Sequence, residues 1–364
     1  MRKYQIAVIG GDGVGPEVVA EGVKVLKTVA FLDPALHFHF TEYPWGCEYY
    51  LRSGQMMPPD ALEILAGYDA IYLGAVGYPT VPDHISLWGL LLPIRKGFEQ
   101  YVNLRPIRLL TGAPGQLQGK GPEDINFIVV RENTEGEYAA VCGITGEGTP
   151  EETVTQSGVF TRNGVTRIMH YAFALARRRD RQLTVVTKSN ALNYSMVYWD
   201  KIAKEIAAEY PEVETRFIHV DAMAMFLVRK PELFDVVVAS NLFGDILTDL
   251  GAAIQGGMGY AAGANLNPER RYPSMFEPIH GSAPDIARQG RANPIAAVWA
   301  VKMLLDHLGE TRWAELLMRS IEDIVKRGKF RTPDAGGRNT TSEVGDAICA
   351  SLRENAVRNE SSPI

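Results

Sequence analysis

Short apolar runs alternate along the chain with longer segments in which apolar residues recur at helical spacing. Residues 235–239 read Asp-Val-Val-Val-Ala and predict a buried strand, because strands covered on both faces are continuously hydrophobic. From Leu242 onward, Ile246, Leu247 and Leu250 follow the period of a helix. Further strands are predicted at residues 4–9, 38–42, 70–73, 125–130, 183–187 and 215–220. Strands that alternate with helices indicate an α/β fold.

Other segments predict the elements between and after these strands. Residues 151–161 are rich in Thr and Val, which favours a strand, here expected to be part of an arm. Asn163 is a candidate cap for the next helix, and Ser240 and Asn241 are candidate caps after the strand at 235–239. The remaining expectations are a helix from Pro93 to Tyr101, a glycine-rich loop at 256–265, helices near 311–327 and 340–354, and a loose tail at 359–364.

Composition and charge exclude several classes of function. The chain has 364 residues, of which 46% are hydrophobic and 22% charged, and its net charge of -6 gives no basic surface for nucleic acid. Cys47, Cys142 and Cys349 are far apart without metal-binding spacing, which predicts a reducing, cytoplasmic location. No apolar run approaches the roughly 20 residues that cross a bilayer, so we expect no membrane partner.

Asp245 and Asp249 are four residues apart, so a helix places both carboxylates on one face. They follow the end of a predicted strand, and in α/β sheets ligands bind beyond the carboxyl ends of the strands. Paired carboxylates at such a place suit Mg²⁺ or Mn²⁺, which prefer hard oxygen ligands. The alternative is a solvated helix face whose acidic residues are favoured by the helix dipole.

Further charged residues stand at predicted strand ends or beside loops. Lys188 and Asp221 each follow a strand. Arg95, Arg105 and Arg131 lie near the ends of elements, and guanidinium groups bind carboxylates in bidentate fashion. Together they predict a small polyanionic substrate, whereas any single arginine could equally form a surface ion pair.

Two loops are candidates for approaching a phosphate or an adenine. Gly10-Gly-Asp-Gly-Val-Gly-Pro-Glu17 joins a strand to a helix, but Pro16 occupies a position where the dinucleotide-binding fingerprint requires Gly or Ala. It is alternatively a tight turn that packs a helix on a strand. His280-Gly-Ser-Ala283 places small residues and backbone N–H groups beside an imidazole, which allows a close approach to a ligand.

Six motifs in order resemble those of the metal-dependent β-decarboxylating dehydrogenases, the family of isocitrate and isopropylmalate dehydrogenases. They are Gly11-Asp-Gly-Val-Gly-Pro-Glu17, Asn103-Leu-Arg-Pro106, Arg131-Glu-Asn-Thr-Glu-Gly136, Thr187-Lys-Ser-Asn190, Asn241-Leu-Phe-Gly-Asp245 and Glu277-Pro-Ile-His-Gly-Ser-Ala-Pro-Asp285. The resemblance covers nearly the whole chain. It implies a two-lobed, isopropylmalate-dehydrogenase-like α/β fold with a large mixed sheet flanked by helices.

The resemblance also implies a division into lobes and an assembly. The first, cofactor-binding lobe would comprise residues 1–103 and 255–364. The second lobe, residues 104–254, would carry the dimer contacts together with the metal and substrate residues. Lys188 and Asp221 would reach into the neighbouring subunit's site, so the working unit would be a homodimer with shared active sites.

Roles for individual residues follow from the same resemblance. Tyr138 would be the acid that protonates the product enol, and Lys188 the base that acts on the substrate hydroxyl. Arg95, Arg105 and Arg131 would hold the substrate carboxylates, and Asp221, Asp245 and Asp249 would bind Mn²⁺ or Mg²⁺. A monovalent cation such as K⁺ is a further candidate. The residues implied in cofactor binding are His280, Gly281, Ser282, Ala283, Asp285 and Asn293.

The cofactor is predicted to be NAD. In this family the residue after the His-Gly-Ser-Ala-Pro sequence faces the adenosine ribose, and here it is Asp285. A carboxylate accepts hydrogen bonds from both ribose hydroxyls and repels a 2′-phosphate. The alternative for Asp285 is a helix N-cap, which would be compatible with either cofactor.

The substrate is predicted to be a C4 2-hydroxy dicarboxylic acid. The segment His84-Ile-Ser-Leu-Trp-Gly89 resembles that of the tartrate and D-malate dehydrogenases, and Trp88 stands where isopropylmalate enzymes have a Glu. An indole there would shorten the pocket, unless Trp88 merely packs under the loop. The expected reaction is oxidation and β-decarboxylation of D-malate, to pyruvate, or of tartrate. Alternatives are 3-isopropylmalate dehydrogenase, because Leu91 and Leu92 are retained, and a non-catalytic regulatory subunit.

Overall fold

A computed structural model describes residues 1–360; the last residues of the expected tail, 361–364, lie outside it. The strands are β1 (Arg2–Gly11), β2 (Leu36–Tyr43), β3 (Ala70–Ala75), β4 (Val102–Arg108), β5 (Asn126–Glu132), β6 (Gly136–Thr145), β7 (Thr153–Val159), β8 (Gln182–Thr187), β9 (Glu214–His219), β10 (Val236–Ala239), β11 (Ala262–Leu266) and β12 (Ser274–Pro278).

The helices are α1 (Gly15–Leu32), α2 (Cys47–Ser53), α3 (Ala61–Leu65), α4 (Asp83–Ser86), α5 (Leu92–Gly97), α6 (Arg162–Arg177), α7 (Ser195–Ala207), α8 (Val220–Arg229), α9 (Asn241–Ile254), α10 (Ile295–Leu308), α11 (Thr311–Arg327) and α12 (Thr341–Glu360). The predicted α/β class, with a large mixed sheet flanked by helices, is confirmed. No helix within residues 1–360 combines the length and hydropathy needed to cross a membrane.

The chain divides into two compact units. The first comprises Met1–Gln100, Arg108–Pro122 and Ala252–Ile364. Its strand order is β2-β1-β3-β12-β11, parallel except for the antiparallel pairing of β11 with β12. Helices α1 and α10 pack on these strands, so β3 is buried along its whole length.

The second unit comprises Tyr101–Ile107 and Glu123–Gly251. Its strand order is β4-β5-β10-β8-β9, and β5, β10, β8 and β9 are all mutually parallel. Helix α6 packs on β5, β10 and β8, while α7 contacts β8 and α8 contacts β9. The carboxyl ends of these four parallel strands therefore share one edge.

Strands β6 and β7 form a separate antiparallel two-stranded sheet, which confirms the predicted arm strand. Their register shifts between Gly136 and Val141, and Ala140 within that shift has a left-handed φ of 66°. A bulge of this kind re-aims neighbouring side chains. Tyr138 lies within the irregular segment.

Three local predictions were wrong. The helix expected from Pro93 to Tyr101 ends at Gly97 as α5, and helical structure already begins at α4 and continues through a π-helical turn at Leu87–Leu91. The cap of α6 is Thr161, whose hydroxyl accepts from the Gly164 N–H, rather than Asn163. The glycine-rich segment 256–265 contains strand β11, because its small apolar residues pair with β12 and are buried there.

Residues 108–122 are grouped with the first unit because of contacts around Gly112. Its φ is 96°, and an added Cβ would lie 2.5 Å from the carbonyl oxygen of Val325. Arg331 donates to the Gly112 carbonyl at 3.1 Å, and Arg108 pairs with Glu322 at 2.6 Å. Only glycine can make so close an approach with a left-handed backbone.

Candidate active site

Four side chains of the second unit follow the carboxyl ends of its parallel strands. Arg131 lies near the end of β5, Lys188 follows β8, Asp221 lies in the first turn of α8 after β9, and Asn241 begins α9 after β10. For Lys188 and Asp221 this is the placement predicted from the sequence, and parallel strands present their carboxyl ends at the same edge.

Arg131 is 2% exposed and is held by the N-terminal turns of α9. Its Nε and Nη2 donate to Oδ1 of Asn241 at 3.0 and 2.8 Å, and its Nη1 donates to Oδ1 of Asp245. An added Cβ at Gly244 would lie 2.6 Å from Cγ of Arg131. The glycine of the Asn-Leu-Phe-Gly-Asp motif therefore makes room for the arginine stem.

Arg105 is also buried and reaches the next turn of α9. Its Nε donates to Oδ1 of Asn103, and its Nη1 donates to Oγ1 of Thr248, both at 2.6 Å. The carboxylates of Asp245 and Asp249 each lie 3.8 Å from its guanidinium. The structure thus brings Arg105 and Arg131 together with Asp245 and Asp249.

Tyr138 completes this cluster. Its hydroxyl donates to Oδ2 of Asp245 at 3.1 Å, and the Arg131 guanidinium lies 5.8 Å from the centre of its ring. Burial and the Asp245 charge raise the pKa of Tyr138. The phenol therefore keeps its proton at neutral pH and can act as a donor.

Lys188 and Asp221 form a separate pair. The Lys188 ammonium donates to Oδ1 of Asp221 at 2.6 Å, and this hydrogen bond is the main cause of the lowered pKa of Asp221. Asp221 is exposed, whereas Lys188 is partly covered. Lys188 and Asp221 therefore hold each other in place at the surface of the second unit.

The three predicted metal carboxylates are not all brought together. Asp245 and Asp249 share one face of α9, while Asp221 stays with Lys188. Within residues 1–360 no group of three or more His, Cys, Asp or Glu side chains is placed to hold a metal ion. Partial burial and the Asp245 charge raise the pKa of Asp249, against the lowering effect of Arg105. Two neighbouring carboxylates fit part of a hard-cation site.

Arg95 lies in the first unit and is held differently. It is buried, and its Nη2 donates to Oε1 of Glu277 at 2.8 Å. The Asn265 amide donates to the same carboxylate oxygen at 2.7 Å. Arg95 is thus part of a buried ion pair, and the alternative of a surface ion pair does not describe it.

Trp88 lies in the π-helical turn at Leu87–Leu91 and is 41% exposed. The Lys96 ammonium lies 4.9 Å from the centre of the ring. The alternative in which the indole packs under the loop does not fit this exposure. π-Helical turns often occur at functional sites.

The two glycine-containing loops of the first unit meet at Ser282. The Val14 N–H donates to the Ser282 carbonyl at 2.8 Å, and a Cβ at Gly13 would lie 1.9 Å from that oxygen. Gly13 also has a left-handed φ of 59°, so the position requires glycine. The loop after β1 therefore supports the His280–Ala283 loop.

These loops border a pocket of about 520 Å³. It is lined by Val14, Met258, Gly259, His280, Gly281, Ala283, Ile286, Arg291, Ala292, Asn293, Pro333 and Asp334. Burial lowers the pKa of His280, and its Nε2 is buried without a hydrogen-bond partner within residues 1–360. Burial therefore favours a neutral imidazole at this place, and a pocket of this volume is within the range that holds small ligands such as a cofactor.

Asp285 and Asn293 occupy different places around this pocket. Asp285 is exposed and lies among turns rather than at a helix start, so its alternative role as an N-cap was wrong. Asn293 precedes α10, accepts from the Ile295 N–H at 3.0 Å and donates to Asp334 at 3.1 Å. Asn293 therefore fixes local structure as well as lining the pocket.

Several residues that hold the predicted ones are not indicated by the sequence patterns. Asn103 and Thr248 accept hydrogen bonds from Arg105, Asn241 accepts from Arg131, and Glu277 accepts from Arg95. Asp334 lines the pocket. Asn241 was interpreted as a helix cap, but its side chain binds Arg131 and the Glu135 carbonyl. The sequence contains one signal for three of these residues: Asn103, Asn241 and Glu277 are the first residues of three of the six motifs.

Comparison with known proteins extends over nearly the whole chain. A family model described as isocitrate/isopropylmalate dehydrogenase matches residues 5–348. The crystal structure of isocitrate dehydrogenase from Methylococcus capsulatus superimposes with a TM-score of 0.86 at 34% identity, covering 96% of this chain and 99% of that one.

Two similar proteins have more specific names. The D-malate dehydrogenase (decarboxylating) of Escherichia coli (strain K12) is 54% identical, over 96% of this chain and 98% of its own. The tartrate dehydrogenase/decarboxylase of Pseudomonas putida is 51% identical, over 96% of this chain and 98% of its own. The chain therefore belongs to the isocitrate/isopropylmalate dehydrogenase family.

Proposed function

We propose that the chain oxidises and decarboxylates a C4 2-hydroxy dicarboxylic acid, D-malate or tartrate, with NAD⁺ and a divalent cation. Relatives that cover almost the whole chain are named as decarboxylating D-malate and tartrate dehydrogenases. The observation that carries the proposal is the cluster of Arg105, Arg131, Asp245, Asp249 and Tyr138. It combines carboxylate-binding, cation-binding and proton-donating groups in one place.

Charge balance in the cluster supports this combination of ligands. Arg105 and Arg131 contribute two positive charges, and Asp245 and Asp249 contribute two negative charges, so these four groups sum to zero. A dicarboxylate that bound alone would add two negative charges to a partly buried site, which is unfavourable. A dicarboxylate and a Mn²⁺ or Mg²⁺ ion together leave the site neutral.

Substrate binding is assigned to the arginines. Arg105 and Arg131 would bind substrate carboxylates, because guanidinium N–H groups match carboxylate oxygens in a planar fork. Arg95 would add a further contact, although part of its donor capacity is committed to Glu277. A cation bound at Asp245 and Asp249, with Asp221, would supply Lewis-acid polarisation of the C2 oxygen.

Proton transfer is assigned to Lys188 and Tyr138. Lys188 would accept the proton of the C2 hydroxyl as hydride leaves C2 for the nicotinamide. Loss of the β-carboxylate as CO₂ then leaves an enolate whose C3 must gain a proton. Tyr138 would donate it, since the raised pKa of its phenol keeps it protonated.

The working unit is proposed to be a homodimer in which Lys188 and Asp221 serve the partner's site. In a single chain Lys188 and Asp221 bind each other, while Asp245 and Asp249 lie close to Arg105. The second unit also exposes large apolar residues that a partner would cover: Val141, Ile144, Val154, Met225, Val228 and Ile246. Exposed apolar groups of this kind mark protein interfaces.

Mixing two inactive variants tests the shared site. Co-expression of Lys188→Ala with Tyr138→Phe should restore about a quarter of the parental activity, because half of the dimers are mixed and each has one intact site. Each variant alone should be nearly inactive. No recovery in purified mixed dimers would show that Lys188 and Tyr138 act within the same chain.

NAD⁺ is proposed to bind at the pocket lined by His280, Gly281, Ala283 and Asn293, with Ser282 supporting the loop. Its walls are mostly small and apolar, as suits an adenine. The exposed Asp285 carboxylate, one residue before the lining residue Ile286 in the chain, would bind the ribose hydroxyls and disfavour a 2′-phosphate. The residues present thus fit the unphosphorylated cofactor.

A substrate panel tests the proposal as a whole. The ratio kcat/KM would be measured for D-malate, the tartrates, isocitrate and 3-isopropylmalate, with NAD⁺ or NADP⁺, Mg²⁺ or Mn²⁺, and with or without K⁺. We expect D-malate or a tartrate with NAD⁺ to give the highest ratio. A higher ratio for 3-isopropylmalate would show that the exposed Trp88 does not shorten the pocket.

A further inference from the structure

Both arginines of the cluster are held along the same edge by a neutral group. The Nε of Arg131 donates to the amide oxygen of Asn241 at 3.0 Å, and the Nε of Arg105 donates to the amide oxygen of Asn103 at 2.6 Å. Both asparagines are buried. Asn103 and Asn241 belong to different motifs, so two separate parts of the chain each hold an arginine Nε with an amide oxygen.

The orientation of the Asn241 amide is fixed by its surroundings. Arginine has donors only, so the atom of Asn241 that faces Nε and Nη2 of Arg131 must be the oxygen. The Nδ2 group then faces the Glu135 carbonyl, to which it donates at 3.0 Å. Asn241 therefore needs both an acceptor and a donor, and aspartate supplies only the first.

Arg105 shows the same principle with an additional neutral acceptor. Besides the bond from Nε to Asn103, its Nη1 donates to the Thr248 hydroxyl at 2.6 Å. That hydroxyl in turn donates to the Gly244 carbonyl at 2.8 Å. Amide and hydroxyl oxygens thus orient the guanidinium without carrying a formal charge.

Arg95 provides the contrast within the same protein. Its Nη2 is bound by the buried Glu277 carboxylate, which carries a formal negative charge when ionised. A carboxylate partner compensates the charge of a guanidinium and reduces its attraction for a second anion. Arg131 also donates to a carboxylate, but that carboxylate is Asp245, which is proposed to bind the cation. Asn241 satisfies further N–H groups of Arg131 without adding a charge.

We propose that Asn241 and Asn103 are positioning residues that determine the affinity for dicarboxylates by holding Arg131 and Arg105 without adding negative charge to that of Asp245 and Asp249. The inference rests on the proposed function, in which these arginines bind substrate carboxylates. It assigns a separate task to two side chains that need not touch the substrate. Isosteric replacement by aspartate should preserve the shape but add a negative charge at hydrogen-bonding distance from each guanidinium.

The test is calorimetric binding of D-malate to the full chain with Mg²⁺ but without NAD⁺, so that no turnover occurs. Asn241→Asp is expected to weaken D-malate binding by about tenfold or more, corresponding to about 1.4 kcal/mol. Binding of NAD⁺, measured separately, should change by less than about twofold. Asn103→Asp is a second, independent variant that should show the same split even if Asn241→Asp does not fold.

A matched control introduces a buried carboxylate elsewhere. Asn267 is buried in the first unit and its amide oxygen accepts from the Arg271 N–H at 2.9 Å. Asn267→Asp should leave D-malate binding unchanged. Asn241→Ala removes the holder without adding a charge and should lose less affinity than Asn241→Asp.

The possible outcomes separate this inference from the proposed function. Unchanged D-malate affinity in a folded Asn241→Asp or Asn103→Asp variant would overturn it, as would a greater loss in Asn241→Ala than in Asn241→Asp. If the parental chain neither binds nor oxidises any dicarboxylate of the substrate panel, the proposed function itself fails. Loss of D-malate affinity with retained NAD⁺ affinity supports the inference.

Discussion

The arginine cluster of the second unit and the His280 pocket of the first unit are built in different ways. In the cluster, charged side chains are fixed by other side chains, as Arg131 is by Asn241 and Asp245. In the pocket, backbone contacts such as that between Val14 and Ser282 set the shape. The arginine cluster therefore depends mainly on electrostatic interactions, and the His280 pocket depends largely on shape.

This difference predicts how each region responds to substitution. A change of charge or of orientation in the cluster should affect the dicarboxylate and leave NAD⁺ binding intact. A change at the pocket should affect the cofactor through shape or through a single exposed charge such as Asp285.

Loss of an acid–base group should have the largest effect. Lys188→Ala or Tyr138→Phe is expected to reduce kcat by about 10²–10⁴-fold, the usual contribution of general acid–base catalysis, with little change in KM for D-malate. Steady-state kinetics measure both quantities. Lys326→Ala on the surface of α11 is the control and should keep parental kcat. A variant with unchanged kcat would remove its residue from the mechanism.

Displacing Arg131 should come next. Gly244→Ala places a Cβ 2.6 Å from Cγ of Arg131, and Gly251→Ala on the same helix places one 2.2 Å from Cδ1 of Ile107. Both should lower the free energy of unfolding by about 1–3 kcal/mol through overpacking. Gly244→Ala alone should also raise KM for D-malate, by about tenfold. Equal KM values for the two variants would contradict the role of Arg131.

The contribution of Asp285 to the preference for NAD⁺ over NADP⁺ should be a similar or smaller factor. NAD⁺ is expected to be preferred over NADP⁺ by about tenfold, since one charge repulsion of about 1.4 kcal/mol gives that ratio. Asp285→Asn should reduce the preference, and Asp285→Lys should reduce it further. The measurement is kcat/KM with each cofactor at saturating D-malate. Equal use of both cofactors by the parental chain would show that Asp285 does not discriminate.

The smallest effect concerns pH at the pocket. Burial lowers the pKa of His280 below its usual value near 6.5, so the imidazole stays neutral as the pH falls from 8 to 6.5. The Kd for NAD⁺ should therefore change by less than about twofold over this range. A rise or fall that follows a group titrating near 7, and that disappears in His280→Asn, would show that the histidine is charged there.

Much of the framework could be predicted from the sequence because it depends on local pattern. The apolar runs predict β1, β2, β3, β5, β8, β9 and β10. Lys188 and Asp221 follow β8 and β9, and the parallel pairing of these strands places both residues at the same edge. Strand β11 was missed because its Gly and Ala residues resemble a loop, and its pairing with β12 is a tertiary contact.

The holders of the arginines could not be predicted for a similar reason. Asn241 follows a strand and precedes a helix, so local rules favour a cap. Its actual partners, Arg131 and Glu135, are more than 100 residues away in the chain and become neighbours only when β5 pairs with β10. Likewise, nothing local indicates that Glu277 meets Arg95.

The proposed reaction is tested most directly by the product balance from D-malate. The full chain would be incubated with D-malate, excess NAD⁺ and Mn²⁺, and NADH, pyruvate and CO₂ would be quantified. We predict equal amounts of all three, formed at least about 10²-fold more slowly by Lys188→Ala. Binding of D-malate or NAD⁺ with no NADH from any C4 hydroxy acid would contradict this prediction and would favour a non-catalytic regulatory subunit.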